Sequence, residues 1–361
     1  MSSGPQSRAD ILVKRLIAVL GRKEQQSLWE DTDPNLKYFV PYSRALKALR
    51  KTSDGNPLAA VDTTSITLTS TQMKLLARQF NLSETTFICP PADPKASWRL
   101  RSFLPNGVEV FGAGHNSLGA WWWIAYSGLL GEIAQDMQSS RSYFQQLGND
   151  VLPVEVSRST LGDLVVSMRQ GQSQFLNQHT NHACLAKSLG INVSDIGLRH
   201  SDVILDRAMV VTTSPARHLL VPVQSLNVLK SVGFADKEGS LKELASTESY
   251  DSGVYVFTSA ENESESETPR FEARFFSPGM SMEDPATGSA AGPLAAYLWA
   301  NNALASEENG ISQIEVVQGV QTGRRCLMKL SIEPDQGITI SGTGVLVADG
   351  NIMIPRSDVS F

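Results

Sequence analysis

Two stretches of the chain are apolar on every side yet helical in length. They are Leu118 to Leu130, which contains Trp121, Trp122 and Trp123, and Ala290 to Ala300, which contains Leu294, Tyr297, Leu298 and Trp299. A helix without a polar stripe must be buried all round, and both stretches fall short of the roughly 20 residues a membrane span needs. Each follows a glycine-rich polar turn, GAGHNSLGA from Gly112 to Ala120 and EDPATGSAAG from Glu283 to Gly292. The repeated pattern predicts two similar halves, each a sheath around a central helix.

The sheath shows as short runs of β-branched and aromatic residues bounded by Gly, Pro and Asn. Pro57 to Val61, Thr85 to Cys89, Trp98 to Leu104, Val151 to Val156 and Leu164 to Met168 read as strands around the first helix. Met209 to Thr213, Gly253 to Thr258, Phe271 to Phe276, Ile314 to Gln318, Met328 to Ile332, Ile338 to Gly342 and Val345 to Ala348 read as strands around the second. Outer helices are expected at Thr71 to Phe80, behind the cap candidates Thr69 and Ser70, and at Leu185 to Leu189 and Val223 to Val232. The acidic run Glu261 to Glu267 reads as a solvated loop between strands. Ile11, Leu12, Leu16, Val19 and Leu20 have the spacing of an amphipathic docking helix, interrupted by Lys14 and Arg15 and too short for a membrane anchor.

Composition narrows the function classes. With 41% hydrophobic and 19% charged residues among 361, the chain can build a core, and its length suggests two domains. A net charge of -6 leaves no basic footprint for a phosphate backbone, so no nucleic-acid partner is expected, and no membrane partner either. Cys89, Cys184 and Cys326 are widely spaced and form neither a disulfide framework nor a zinc pattern, which points to a reducing, cytoplasmic setting. Arg8, Arg22 and Lys23 leave a mitochondrial presequence as the alternative, although Asp10 and Glu24 dilute its basic bias.

The two turns are where chemistry is expected. A helix N-terminus presents unpaired N–H groups and partial positive charge, so each turn suits an anion. Two such ends facing one cleft could hold a carboxylate and stabilise an enolate-like intermediate. Gly112, Gly114, Gly288 and Gly292 permit the close backbone approach this requires, although glycines there could equally serve tight packing. The ionisable candidates are His115 in the first turn and Glu283 and Asp284 in the second, with Glu84 in NLSETTF as a third site. Singly, each has a plain structural reading: a hydrogen-bonding histidine, a turn-forming acid before proline, a loop carboxylate.

Several other motifs fail. Gly112-x-Gly114-x-x-Ser117 ends in serine, so the dinucleotide fingerprint is incomplete, and His115 stands where a nucleophile elbow needs glycine. No Walker A loop, HExxH or calcium loop is present, and His179, His182 and Cys184 lack an evident partner set, so neither metal nor cofactor is expected.

With these residues in view the sequence resembles the phenazine-biosynthesis-like isomerases, relatives of diaminopimelate epimerase. The resemblance rests on GNPLAAV from Gly55, NLSETTF from Asn81, the run from Arg101 to His115, EDPATGSAAGPLAAYL from Glu283, and the QG-x-x-x-GR run from Gln318, in family order from about residue 37 onward. It implies an α/β (α+β) fold of two pseudo-symmetric domains, each a β-barrel-like sheath around a central helix, with the active site between them. On that pattern residues 1–36 are an extension, 37–176 the first domain, completed by 350–361, and 177–349 the second. The family pattern makes Glu84 the proton-transferring residue, with Asp284 and His115 as catalytic partners and Gly114, Gly288, Ser289 and Asn56 lining the substrate site. It also implies a homodimer.

The epimerase relatives use paired cysteines at the heads of the two central helices. Here His115 and Asp284 to Ser289 stand there and none of the cysteines is expected near, which argues against two-thiol chemistry. Departures from the family pattern include GRR before Cys326 where GRPS is common, an insertion over Arg44 to Asp54, and the Trp121 to Trp123 cluster. The expected activity is a cofactor-independent isomerase that moves a proton on a small carboxylic or amino-acid-derived substrate through one glutamate, in specialised metabolism. A lyase or hydrolase on the same fold, or a non-catalytic binding protein, are the alternatives.

Overall fold

The computed structural model describes residues 16–20, 55–112, 114–131, 140–159, 162–233, 236–249, 252–260, 268–277, 283–348, 350–356 and 361. The strands of the first half are β1 (Leu16–Leu20), β2 (Pro57–Asp62), β3 (Glu84–Cys89), β4 (Trp98–Phe103), β5 (Glu109–Val110), β6 (Arg141–Leu147), β7 (Asp150–Arg158) and β8 (Leu164–Arg169). Those that follow are β9 (Gln174–Gln178), β10 (Leu198–His200), β11 (Val203–Leu205), β12 (Met209–Thr212), β13 (His218–Pro222), β14 (Val254–Ala260), β15 (Arg270–Phe276), β16 (Ser312–Gln318), β17 (Cys326–Ile332) and β18 (Ile338–Ala348). Apart from the β10–β11 hairpin they form one mixed sheet in the order β1-β2-β3-β4-β6-β7-β8-β18-β17-β16-β15-β14-β13-β12-β9, with β5 beside β4. The result is an α/β fold of mixed sheet and helices.

β18 decides the topology. Its first residues pair with both β17 and β8, Ile340 lying opposite Leu330 on one side and Met168 on the other. Its later residues pair with β1, from Thr343 opposite Leu20 to Ala348 opposite Leu16. Because β1 also pairs with β2, the strands β1, β2, β3, β4, β6, β7, β8 and β18 close a ring. The sequence pattern suggested two strands here. They are one, running through Gly342 and Gly344, where missing side chains leave the pattern of apolar residues interrupted while the backbone ladder continues.

The ring encloses the first central helix, His115–Tyr126, which packs on β1, β2, β3, β4, β7, β8 and β18. Trp121 and Trp123 are fully buried, and the Trp121 indole N–H donates to Gln145 Oε1 at 3.1 Å. Truncating such a tryptophan costs about 3–5 kcal/mol, a large share of the roughly 5–15 kcal/mol that holds a domain folded. The triplet is therefore core. The helix ends earlier than its apolar run, because Gly128 takes a left-handed φ of +80°. The second central helix, Gly288–Ala300, packs on β12, β13, β16, β17 and β18 and shares one apolar core with the first.

Elsewhere the structure corrects the sequence reading. Of the docking helix expected over Ile11 to Leu20, the described part is not helical: Leu16–Leu20 is strand β1, stitched between β2 and β18, because ladder partners override a helical spacing of apolar residues. The outer helix read from Val223 to Val232 spans only Leu226–Ser231, capped by Ser225, and Val223, just past the end of β13, is taken up by a bridge to Ile196. The outer helix Ser70–Phe80 closes with the expected Thr69 cap in a reciprocal capping box with Gln72. Gln72 also donates to Pro355 O, while Ile352 and Ile354 pack with Met73, Leu76 and Phe87, so the chain returns to the first half at its end. The acidic run, the insertion and the presequence residues lie outside the described residues. Among the described residues no helix is long and apolar enough to cross a membrane.

Two glycines in one loop provide a test. Gly319 has φ +79°, and a Cβ there would sit 2.1 Å from Arg324 O and 2.7 Å from Pro285 O, whereas Gly323 has φ +73° with open space around it. Gly323→Ala should cost only the left-handed backbone penalty of about 1–2 kcal/mol. Gly319→Ala should exceed that by about a further 1–3 kcal/mol of overpacking, read from urea unfolding midpoints. Equal midpoints would show that the loop does not hold the chain before the second central helix.

Candidate active site

Four sequence-distant residues meet where the two central helices begin. Asn56 precedes β2, and Glu84 opens β3, paired in parallel with Leu58. His115 is the first residue of the first central helix, and Asp284 forms a single bridge to Phe275 at the end of β15. The two helix starts converge, since a Cβ on Gly288 would lie 3.8 Å from the Gly114 Cα.

The contacts are close. His115 Nε2 lies 2.9 Å from Glu84 Oε2. The two atoms are buried, so the pair is a close ionic contact that water screens little. Asn56 Nδ2 donates to Asp284 Oδ1 at 2.8 Å and to Ala286 O at 3.0 Å, and approaches His115 Nδ1 at 3.3 Å. An amide nitrogen carries two hydrogens. The two shorter contacts take them, which leaves the third as packing. Ser83 Oγ donates to Asn56 Oδ1 at 3.2 Å and fixes the amide orientation.

Asp284 is held from its other side as well. Thr287 Oγ1 donates to Asp284 Oδ2 at 2.5 Å, and Gln318 Nε2 donates to Thr287 Oγ1 at 2.9 Å and to Asp284 O at 2.7 Å. Gln318 Oε1 accepts from Thr287 N at 3.1 Å and Tyr255 OH at 3.0 Å. With its acceptor side used by Gln318, the Thr287 hydroxyl has its hydrogen committed to Asp284, so the carboxylate only accepts. Burial nevertheless pushes the Asp284 pKa up to about 6, against the pull of His115 and the hydrogen bonds from Thr287 and Asn56. At His115 burial opposes the charge, but Glu84 and then Asp284 outweigh it and hold the imidazole above its ordinary value.

The helix starts differ from those at the periphery. Thr69, Asn181, Ser225 and Asp236 cap the outer helices with their side chains. Neither central helix has such a cap among the described residues. A missing side-chain cap costs from a few tenths of a kcal/mol where glycine stands, as at Gly114, to about 1 kcal/mol, stability that a bound anion would return. In the first helix the opening main-chain bond is Leu118 N to Gly114 O, and Asn116 shapes the turn by accepting from Gly114 N and donating to Gly112 O and Ser102 Oγ. In the second, Ala290 N and Ala291 N both reach Thr287 O, which leaves the Gly288 and Ser289 N–H groups ahead of the helical ladder.

A narrow cleft, part of it open to solvent, adjoins these starts. Gly114, His115 and Gly288 line it along with Leu118, Met168 and Cys326. Cys326 corrects the sequence reading that no thiol is close. It is distant along the chain, but β17 pairs with β16 and puts it opposite Gln318. The other two cysteines lie outside the cleft lining, so a thiol pair is still not formed there. Glu283 is turned into a bidentate ion pair with Arg274, at 3.0 and 2.7 Å, and ties the turn to the scaffold. Ser289 contacts His218 instead of Asp284. Sequence reasoning passed over Thr287, Tyr255 and His218, and took Gln318 only as a family marker. The only signal they offered was a polar residue inside an otherwise apolar strand or turn.

Comparison with known proteins follows the same span. The family model described as phenazine biosynthesis-like protein matches residues 50–350. An uncharacterized isomerase of Mesorhizobium japonicum is 31% identical over 308 residues, covering 83% of this chain and 94% of its own. The trans-2,3-dihydro-3-hydroxyanthranilate isomerase of Pseudomonas chlororaphis is 29% identical over 307 residues, covering 83% and 95%. The crystal structure of a phenazine biosynthesis protein of the PhzF family from Bacillus anthracis superposes with a TM-score of 0.71 at 22% identity, covering 96% of this chain and 99% of that one, which shows a shared fold.

The ion pair predicts a titration. Glu84→Gln removes the nearest carboxylate, so the His115 pKa should fall from its raised value, read by histidine NMR against pH. The folded pKa lies above the unfolded one, so the stability from this pair is complete well below pH 6.5 and disappears as pH rises through the folded value. The melting temperature lost in Glu84→Gln should therefore be larger in mildly acidic than in alkaline buffer. A His115 titration that does not move would show that Glu84 does not sustain the imidazolium.

Proposed function

Given that this chain belongs to the phenazine biosynthesis-like protein family, whose model spans residues 50–350, we propose that the convergent helix starts and the Glu84–His115–Asp284 cluster are its active site. The protein is an isomerase-type enzyme. The reaction we assign to it moves a proton within a small carboxylic acid, with no cofactor. The observation that carries this reading is the half-buried Glu84 carboxylate, 2.9 Å from His115 Nε2, at the meeting point of two helix N-termini without side-chain caps.

The chemistry balances within the substrate. Glu84 takes a proton from a carbon next to an activating carbonyl, carboxylate or conjugated amine, and the electron pair left behind spreads onto that group. The same carboxyl then returns its proton to a different carbon, and the ion pair with His115 is restored. Backbone donors at His115, Gly288 and Ser289 stabilise the transient negative charge, while the Gly114 N–H is held by Asn116 Oδ1. Asp284, kept an acceptor by Asn56 and Thr287, orients a donor group of the substrate. The cleft side chains Leu118, Met168 and Ile340 suit an apolar body. The relative from Pseudomonas chlororaphis makes trans-2,3-dihydro-3-hydroxyanthranilate the first compound to assay. We further propose two pseudo-symmetric domains, residues 37–176 with 350–361 and residues 177–349, with β1 added to the ring of the first and β18 shared between the two, and a homodimer, which light scattering would check as twice the 39.2 kDa chain mass.

Glu84→Gln keeps the side-chain size but cannot carry the proton. Turnover should fall by about 10² or more, as for a lost general acid–base, while product-like carboxylates still bind. In heavy water the product should carry deuterium at the carbon that gains a proton, in part if the carboxyl is shielded from solvent. Near wild-type turnover in Glu84→Gln would refute the shuttle. Since Asp284 must be ionised, kcat/KM should decline below about pH 6, and Asp284→Asn should abolish that limb along with most of the activity.

A further inference from the structure

His218 opens β13 and stands over the start of the second central helix, 4% exposed. Its Nε2 lies 2.9 Å from Ser289 Oγ, and its ring meets Phe275 edge-on, at 4.9 Å and 86°. Its Nδ1 is buried without a hydrogen-bond partner. Among the described residues no carboxylate touches it, and burial pushes its pKa down to about 4, so the ring is neutral at physiological pH.

A neutral imidazole carries one N–H, and the two placements differ in what they strand. With the hydrogen on Nδ1, a buried N–H donor would go unmet, and Nε2 would consume the single hydrogen of the Ser289 hydroxyl. With the hydrogen on Nε2, the stranded atom is a bare acceptor, which proteins tolerate better than an orphaned N–H. Nε2–H then donates to Ser289 Oγ, and the hydroxyl hydrogen is left for another acceptor. The same placement rules out a Ser–His nucleophile, which needs a bare Nε2 and an acid behind Nδ1.

We propose that His218 is a positioning residue that commits the Ser289 hydroxyl to donate, so that Ser289 O–H joins the Gly288 and Ser289 backbone N–H groups as a three-donor seat for the substrate's carboxylate. This rests on the reading of the cleft as a carboxylate site and adds the residue that sets its polarity. A seat of donors alone favours an anion over a neutral hydroxyl or amide, because each donor faces a lone pair. His218 acts through Ser289, so it governs binding of the acid and leaves the proton shuttle at Glu84 untouched.

The test uses anthranilate, a planar amino-carboxylate, and aniline, which lacks the carboxylate, titrated calorimetrically into the full-length protein at neutral pH. His218→Phe, which keeps the ring packing on Phe275, and Ser289→Ala should each weaken anthranilate by about tenfold. The double variant should be no weaker than either, and His218→Gln, whose amide nitrogen can replace Nε2–H, should recover most of the affinity. Unchanged binding in His218→Phe, losses that multiply in the double variant, or no recovery in His218→Gln would each overturn the proposal. Independently of any variant, long-range ¹H–¹⁵N NMR of the wild type should show His218 protonated at Nε2, and protonation at Nδ1 would overturn it. If the wild type binds anthranilate and aniline equally, the carboxylate reading of the cleft fails, and the proposed seat fails with it whichever tautomer His218 holds. A carboxylate preference that is indifferent to His218 removes this inference alone.

Discussion

Enclosing two helices that have no polar face is the demand the rest of this structure meets. Neither helix can lie on a surface, so strands must surround both, and a surrounding sheet must close or continue. β18 does both at once: its first residues carry the sheet onward from β8 to β17, and its later residues close the first ring against β1. Because one strand serves both halves, the two helices share a single apolar core and their starts are brought face to face.

That arrangement places polar groups where water is scarce, and the network around Asp284 follows from it. A buried carboxylate is costly unless its lone pairs are met. Asn56 meets one oxygen and Thr287 the other, and Tyr255 and Gln318 fix which way the Thr287 hydrogen points. Glu84 and His115 meet each other instead, 2.9 Å apart, so environment, not residue type, sets how each carboxylate is held.

The uncapped helix starts belong to the same logic. Side chains end the outer helices properly, so this sequence can supply caps where only stability is concerned. At the cleft it supplies glycines and backbone donors, and His218 turned toward Ser289. Stability from side-chain caps is given up at both central helix starts, which leaves their first N–H groups free of side-chain partners among the described residues.

The sequence by itself determined what depends on near neighbours. The all-apolar runs marked both central helices, the glycine-rich turns marked their starts, Thr69 and Gln72 marked an outer helix cap, and the ordered motifs placed Glu84, His115 and Asp284 among the candidates. Tertiary structure alone decided what depends on distant partners. Leu16–Leu20 reads as part of a helix and becomes a strand because Thr343 to Ala348 lies beside it. The runs on either side of Gly342 read as two strands and are one because β8, β17 and β1 hold them. Cys326 reaches the cleft through pairing with Gln318, and His218 reaches Ser289 across 71 positions. Hydrophobic period and turn chemistry are local quantities, whereas ladder partners and hydrogen-bond direction are set only when remote segments pack.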